Sequence, residues 1–356
     1  MSTERTATEE APVLRAIDVT KHFEMPGGAR VHAVEHVDVT LRPGRIVALV
    51  GESGSGKTTV ARLLARMYAT TSGTIELNGE PVATRRAPGR DYHRQVQLIF
   101  QDPFGSLHPG HTIGYTLQRP LLIHRHARTK AQARSLAAEL LEQVGLTPAQ
   151  DYLSKLPHSL SGGQRQRVVI ARALAVRPSV LLGDEPISML DVSIRLDMLN
   201  LLGKLRDERG LALLYITHDI ASARYLCDDV QVMYAGQMVE GGPKDAVINT
   251  PRHPYTRMLV EASPDPARRI TVNRATAFDE GETAGEPPNL TDPPAGCRFH
   301  PRCPFAMDEC RTSFPPRTDL GGGHWAHCWL HDKGRGAELA APLKGLETGR
   351  PQVAAG

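Results

Sequence analysis

Between Gly51 and Thr58 the chain reads GESGSGKT, with three glycines, a lysine and a closing threonine in eight residues. Glycines let a loop turn its amide N–H groups inward onto an anion. A lysine beside them reaches the outer phosphates of a nucleotide, and the hydroxyl that follows can ligate Mg²⁺. The spacing is G-x-x-x-x-G-K-[ST], which cradles the phosphates of a nucleoside triphosphate when a strand precedes it and a helix follows. Both flanks are present. Ile46–Val50 is fully apolar, the signature of a buried parallel strand, and TVARLLARMY, from Thr59, has helical spacing. The N-terminus of that helix adds roughly half a positive charge. Gly51, Ser53, Gly54, Ser55, Gly56, Lys57, Thr58 and Thr59 are therefore the expected cradle.

Three further groups stand where short apolar runs end. Gln101 follows Val96–Phe100, Asp184 and Glu185 follow Val180–Leu182, and His218 follows Leu211–Thr217. In open α/β sheets ligands bind beyond the carboxyl ends of the strands, so these side chains are expected around the same nucleotide. Asp184, with Thr58 and Gln101, would hold Mg²⁺. Glu185 would polarise the attacking water as general base, with Gln101 and His218 touching the metal, the γ-phosphate or the water. Upstream, Phe23 is an aromatic that could stack on a purine. Ser161-Gly162-Gly163-Gln164 opens a second helix whose apolar side carries Val168, Val169, Ala171 and Leu174. Bare amides and two glycines at a helix start make a second anion site. One nucleotide rarely needs both loops from one chain. Two chains facing head to tail, each lending its second loop to the other, resolve the excess, with Asp191 near the seam.

The elements that must position these groups follow from pattern. Val13–Thr20 and Val31–Leu41 are strand-like, and TIELNGEPV is a hairpin with Asn78-Gly79 at its tip. Residues 84–95 are basic and polar, a surface loop. Residues 102–161 are broken by Pro103, Pro109, Gly110 and Gly114 and then become helix-rich, with a stop at Gly145, which describes a helical insertion. A last hairpin turns at Ala235-Gly236. The expected organisation is a disordered tail over 1–12, an ATPase domain over 13–262, a Cys-rich extension over 263–332 beginning with a Pro/Gly-rich linker, and a flexible tail over 333–356. With 356 residues, 40% hydrophobic and 23% charged, the composition is that of a globular protein. A net charge of +3 gives no footprint for nucleic acid. No apolar run approaches the roughly 18 residues of a membrane span, and the polar start MSTERTATEEAP is not a secretory signal.

In combination these motifs resemble the ATP-binding subunits of ABC transporters. GESGSGKT matches the Walker A loop, Gln101 the Q-loop, LSGGQ at 160–164 the signature, LLGDE at 181–185 Walker B, SMLD at 188–191 the D-loop and His218 the switch histidine. All six stand in family order. Phe23 matches the adenine-stacking aromatic. The resemblance implies an α/β P-loop NTPase (RecA-like) core with an antiparallel β subdomain and a helical insertion. It further implies ATP hydrolysis with Mg²⁺ at a head-to-tail dimer, where Ser161, Gly163 and Gln164 serve the opposite subunit's nucleotide. Gly183, Ile187 and Met189 depart from the usual residues without removing a catalytic group. TPRHPYTRMLVEASP at 250–264 and IFQDPFGSLHP at 99–109 resemble the oligopeptide and dipeptide importer branch. That branch implies a second ATPase subunit, identical or related, two transmembrane permeases, an extracytoplasmic solute-binding protein and a peripheral place on the cytoplasmic face of the membrane. Nickel or oligosaccharides are alternative cargoes, and a soluble ABC ATPase is the rival from another class. One cassette and no sustained heptads stand against that rival.

Four of the five cysteines, Cys297, Cys303, Cys310 and Cys328, lie close to the C-terminus, with five, six and seventeen residues between them. Disulfides are not expected in a cytosolic chain, and the close C-x₂₋₄-C pairs of structural zinc are absent. Four thiols without such pairs suit a [4Fe–4S] cluster in a small Cys-rich domain. The importer branch carries a similar segment, and some members hold such a cluster. Zn²⁺, with His300, His324 or His327 in mixed ligation, and free structural thiols are the alternatives.

Overall fold

In the computed structural model, residues 11–83, 89–263 and 286–332 are described. The expected tails, apart from residues 11 and 12, and most of the linker lie outside them. The strands are β1 (Leu14–Glu24), β2 (Arg30–Leu41), β3 (Ile46–Val50), β4 (Ser72–Leu77), β5 (Glu80–Pro81), β6 (Val96–Ile99), β7 (Val180–Asp184), β8 (Ala212–Thr217), β9 (Asp229–Tyr234), β10 (Gln237–Pro243), β11 (Thr318–Gly321) and β12 (His324–Ala326). They form two sheets. A four-stranded antiparallel sheet has the order β2-β1-β4-β5, and an eight-stranded sheet has the order β11-β12-β10-β9-β3-β8-β7-β6. In the large sheet β9, β3, β8, β7 and β6 run parallel. Their sequences explain this. Every residue of β3, β7 and β8 is buried, as strands covered by helices on both faces must be.

The core is packed in two layers. Ile46, Ala48 and Val50 of β3 face one hydrophobic cluster, and Val47 and Leu49 face the other, which is the two-residue alternation of a strand used on both sides. The first cluster continues into the insertion. There the helices Ile113–Ile123 and Lys130–Gln143 pack on the helix Gly162–Leu174 through Leu117, Leu121, Leu140, Leu141, Val168 and Val169. The hairpin tip is as expected, with Asn78 at φ 53° and Gly79 at φ 80°.

Two readings of the sequence are corrected by the structure. Arg90–Gln95, expected as part of a surface loop, is a short helix. Its Tyr92 is buried and donates its hydroxyl to the Leu64 carbonyl, so one aromatic anchor turns a basic stretch into an ordered element. The Cys-rich segment does not form a core of its own. Cys297, Phe299 and Cys310 belong to the first cluster and Trp325 to the second, and β12 extends the central sheet by pairing Glu240 with Ala326 and Gly241 with Trp325. With so few apolar residues it could not bury a separate core, and it borrows that of the cassette instead.

Candidate functional site

The site lies at the carboxyl ends of four adjacent parallel strands, β3, β8, β7 and β6. β3 releases the loop Gly51–Gly56, whose backbone takes positions that a side chain could not share. Gly56 sits at φ 104°, and a Cβ there would lie 2.4 Å from the Ala33 carbonyl oxygen. The helix Lys57–Leu64 follows. Its first turn has no carbonyl behind it to accept its amides, and Val60 is the first to find one, at Gly56 O, 3.0 Å away. Lys57 is buried, and its ammonium donates to the carbonyls of Gly51 (2.8 Å) and Glu52 (2.7 Å). Burial lowers its pKa, while the charges of Glu185, Asp184 and Glu52 oppose that shift. The loop thus brings a held cation to the start of a helix that no side chain caps, as a polyanion requires.

β7 ends in Asp184, whose carboxylate accepts the Thr58 hydroxyl at 2.9 Å. Burial raises the Asp184 pKa and the Thr58 bond opposes it. Glu185 comes next, at φ 47°. Its amide donates to Ile216 O across the sheet (3.1 Å), which aims the side chain out of the strand end. One carboxylate oxygen accepts the Gln101 amide at 3.0 Å, and the other lies 3.5 Å from Nδ1 of the exposed His218. Five residues are thereby joined in two adjoining groups, Thr58 with Asp184 and Glu185 with Gln101 and His218. A hydroxyl, a carboxylate and an amide oxygen are the hard donors that Mg²⁺ prefers, so Thr58, Asp184 and Gln101 fit the cation expected there. At Gly183 a Cβ would come 3.1 Å from Pro186, which accounts for the glycine in place of a larger residue.

The remaining sequence candidates stand elsewhere. Ser161 caps the helix Gly162–Leu174 through a reciprocal pair of bonds, Gln164 N–H to its hydroxyl (3.3 Å) and its own N–H to the Gln164 side chain (3.1 Å). Gly163 packs where a Cβ would meet Ile194 at 2.9 Å. These bonds link the signature residues to each other rather than to the loop at 51–56. Asp191 precedes the helix Val192–Arg209 and is exposed. Phe23 lies edge-on to Tyr68, with ring centroids 5.2 Å apart, and carries the Lys21 ammonium 4.8 Å from its centroid.

Cys297, Cys310 and Cys328 are buried and Cys303 is half-buried, all as free thiols. Burial pushes Cys297 up to about 11, Cys303 up to about 12 and Cys328 higher still. Cys328 feels the charges of Cys297, Cys303 and Cys310, so thiols scattered over 32 positions lie within electrostatic reach of one another. Among the described residues the one trio of ligand atoms within 4.8 Å is His22, His32 and Glu35. It works as a hydrogen-bonded hub around an ion pair, since both imidazoles share one Glu35 oxygen (3.3 and 3.2 Å) and the Arg298 guanidinium binds the other.

Sequence reasoning missed the contacts around Glu52. The Arg302 guanidinium binds its carboxylate at 3.0 to 3.2 Å, and the Tyr255 hydroxyl accepts its N–H at 2.8 Å. Tyr255 lies in the 250–264 stretch quoted for its family resemblance, which carried no expectation of a contact with Glu52. Nothing in the sequence pointed to Arg302, which is 250 positions from its partner.

A family model described as "ABC transporter" matches residues 34–188, and one described as "Oligopeptide/dipeptide transporter, C-terminal region" matches 239–310. A probable peptide ABC transporter ATP-binding protein of Sinorhizobium fredii is 40% identical over 337 residues, covering 92% of each chain. The chain belongs to the ATP-binding subunits of ABC transporters, in their oligopeptide/dipeptide branch. A dipeptide transport ATP-binding protein of Escherichia coli is 39% identical over 328 residues, covering 90% of this chain and 95% of that one. Among solved structures, the dimeric post-hydrolysis ATP-binding cassette MJ0796, bound to ADP and Pi, matches with a TM-score of 0.58 and 28% identity over 65% of this chain and 98% of its own. This ABC subunit is an ATPase, with the P-loop fold expected from its motifs. No described helix is long and apolar enough to cross a membrane.

Proposed function

We propose that the chain is the ATP-hydrolysing subunit that powers import of di- and oligopeptides through an ABC transporter complex. The carrying observation is the convergence of the Gly51–Thr58 loop, Gln101, Asp184–Glu185 and His218 on four neighbouring strand ends, in a chain about 40% identical to peptide transporter subunits over nine-tenths of its length. Loop amides and Lys57 hold the phosphates of ATP. Thr58, Asp184 and Gln101 hold Mg²⁺, which neutralises the phosphate oxygens. Glu185, steadied between Gln101 and His218, takes the proton of the attacking water, and His218 contacts the γ-phosphate. Phe23 stacks on adenine once Lys21 moves aside. Ser161, Gly163 and Gln164 close on the nucleotide of a second ATPase, a copy or a related chain. The MJ0796 cassette, a dimer with ADP and Pi, supports that arrangement.

The remaining partners in this reading are two permeases, met through the insertion at 102–161, and an extracytoplasmic binding protein. They place the chain peripherally on the cytoplasmic face of the membrane. Cys297, Cys303, Cys310 and Cys328 hold a [4Fe–4S] cluster. What supports this reading is that the four thiols, far apart in sequence, come within electrostatic reach of one another. Two measurements test the proposal. Affinity purification from native membranes in mild detergent should bring permeases and a peptide-loaded binding protein, and a chain that returns alone or with ribosomes defeats the transport reading. Anaerobic preparations should contain four iron and four acid-labile sulfide per chain, and stoichiometric zinc without sulfide defeats the cluster.

A further inference from the structure

Glu52 is an anomaly in a loop built to receive a polyanion. It is the second residue of that loop, and an ionised carboxylate beside the phosphates would repel them. The structure shows what answers it. Arg302 reaches in from the turn His300–Arg302, between Cys297 and Cys303, and grips the Glu52 carboxylate with both terminal nitrogens at 3.0 to 3.2 Å. Its guanidinium is held by the Tyr234 hydroxyl at 3.2 Å and lies 5.7 and 5.8 Å from the ring centroids of Tyr234 and Phe299. Tyr255 fixes the backbone of the same residue by accepting the Glu52 N–H, and the Glu52 carbonyl carries the Lys57 ammonium. Tyr234, Tyr255 and Phe299 are fully buried, with Tyr234 edge-on to the other two and Tyr255 tilted against Phe299, so Arg302 is mounted on a rigid base.

We propose that Arg302 is a positioning residue for ATP, holding the Glu52 carboxylate off the phosphates and the loop in its anion-receiving form. The proposal rests on the ATPase reading and adds a role for the C-terminal segment in that same site. A bidentate guanidinium grip sets direction as well as charge, so lysine replaces it only in part.

The test is equilibrium binding of ATP with Mg²⁺ to the full-length chain at two salt concentrations, for the native protein, Arg302→Gln, Arg302→Lys and Arg302→Gln/Glu52→Gln. Arg302→Gln should weaken ATP about tenfold, the effect of one bare charge at a partly buried site, and high salt should shrink the loss. Arg302→Lys should fall between it and the native chain. The double variant should recover most of the affinity, because the repelling charge has gone with its partner. A merely structural Arg302 would leave the double variant as weak as the single one, with no dependence on salt, and that result overturns the proposal. So does unchanged affinity in Arg302→Gln when the native chain binds ATP. A native chain that fails to bind ATP, with Lys57→Ala indistinguishable from it, overturns the ATPase reading and this proposal together.

Discussion

At Glu185 two constraints meet. Its amide is tied to β8 through Ile216 O, while its carboxylate is shared by Gln101 and His218. The side chain is thus aimed before any substrate arrives, which is what a general base requires. Glu185→Gln keeps the shape and removes the basicity. It should bind ATP with near-native affinity and hydrolyse it about 10²–10⁴ times more slowly, the usual value of a positioned base. Single-turnover hydrolysis read against equilibrium binding separates the two effects, and turnover within tenfold of native would assign the base elsewhere. Lys57→Ala should show the opposite pattern, with ATP affinity itself lost. At this scale the sequence was most legible, because phosphate chemistry demands particular residue types at fixed spacing. Arg302 escaped because a guanidinium that completes an ion pair 250 positions away has no local pattern.

Among the elements, periodicity identified what it physically encodes. The apolar runs of β3, β7 and β8 are buried on both faces, and the signature helix begins at a serine with glutamine three residues on. The capping box contributes stability apart from any contact with nucleotide, so Ser161→Ala should cost about 1 kcal/mol in urea denaturation. The placement of β12 was not legible, since the three residues His324, Trp325 and Ala326 are too few to show alternation. Its docking depends on Gly241. A Cβ there would lie 2.5 Å from the Trp325 ring. Gly241→Ala should therefore loosen the C-terminal segment by about 1–3 kcal/mol, the range of an overpacked contact. Both tryptophans of the chain, Trp325 and Trp329, lie in this segment. Their fluorescence transition should shift to lower denaturant while far-UV circular dichroism of the cassette helices moves little. Coincident shifts would show that the segment and the cassette unfold as one unit.

For the whole molecule, the question is whether the cassette stands without residues 286–332. Three links, two of them on buried side chains, argue that it does not. Glu240, fully buried, accepts the N–H groups of Arg252 and His253, and its carboxylate is paired with His324 at 2.7 Å. Arg298, also buried, ties the Glu35 carboxylate to the Ala235 carbonyl. Arg302 ties Glu52 to Tyr234. A chain ending at residue 263 would strand Glu240 in the core without its imidazole. Removing one partner of a buried pair typically costs about 3–5 kcal/mol, which in a domain of this size lowers Tm by roughly 10 °C. It would also bare the edge of β10, where β12 now pairs, and an open edge invites pairing between molecules. Calorimetry of the shortened chain should show that drop in Tm, and light scattering should show association that grows with protein concentration. A shortened chain that melts at the native temperature and stays dispersed would mean that the cassette is self-sufficient and the segment merely rests upon it.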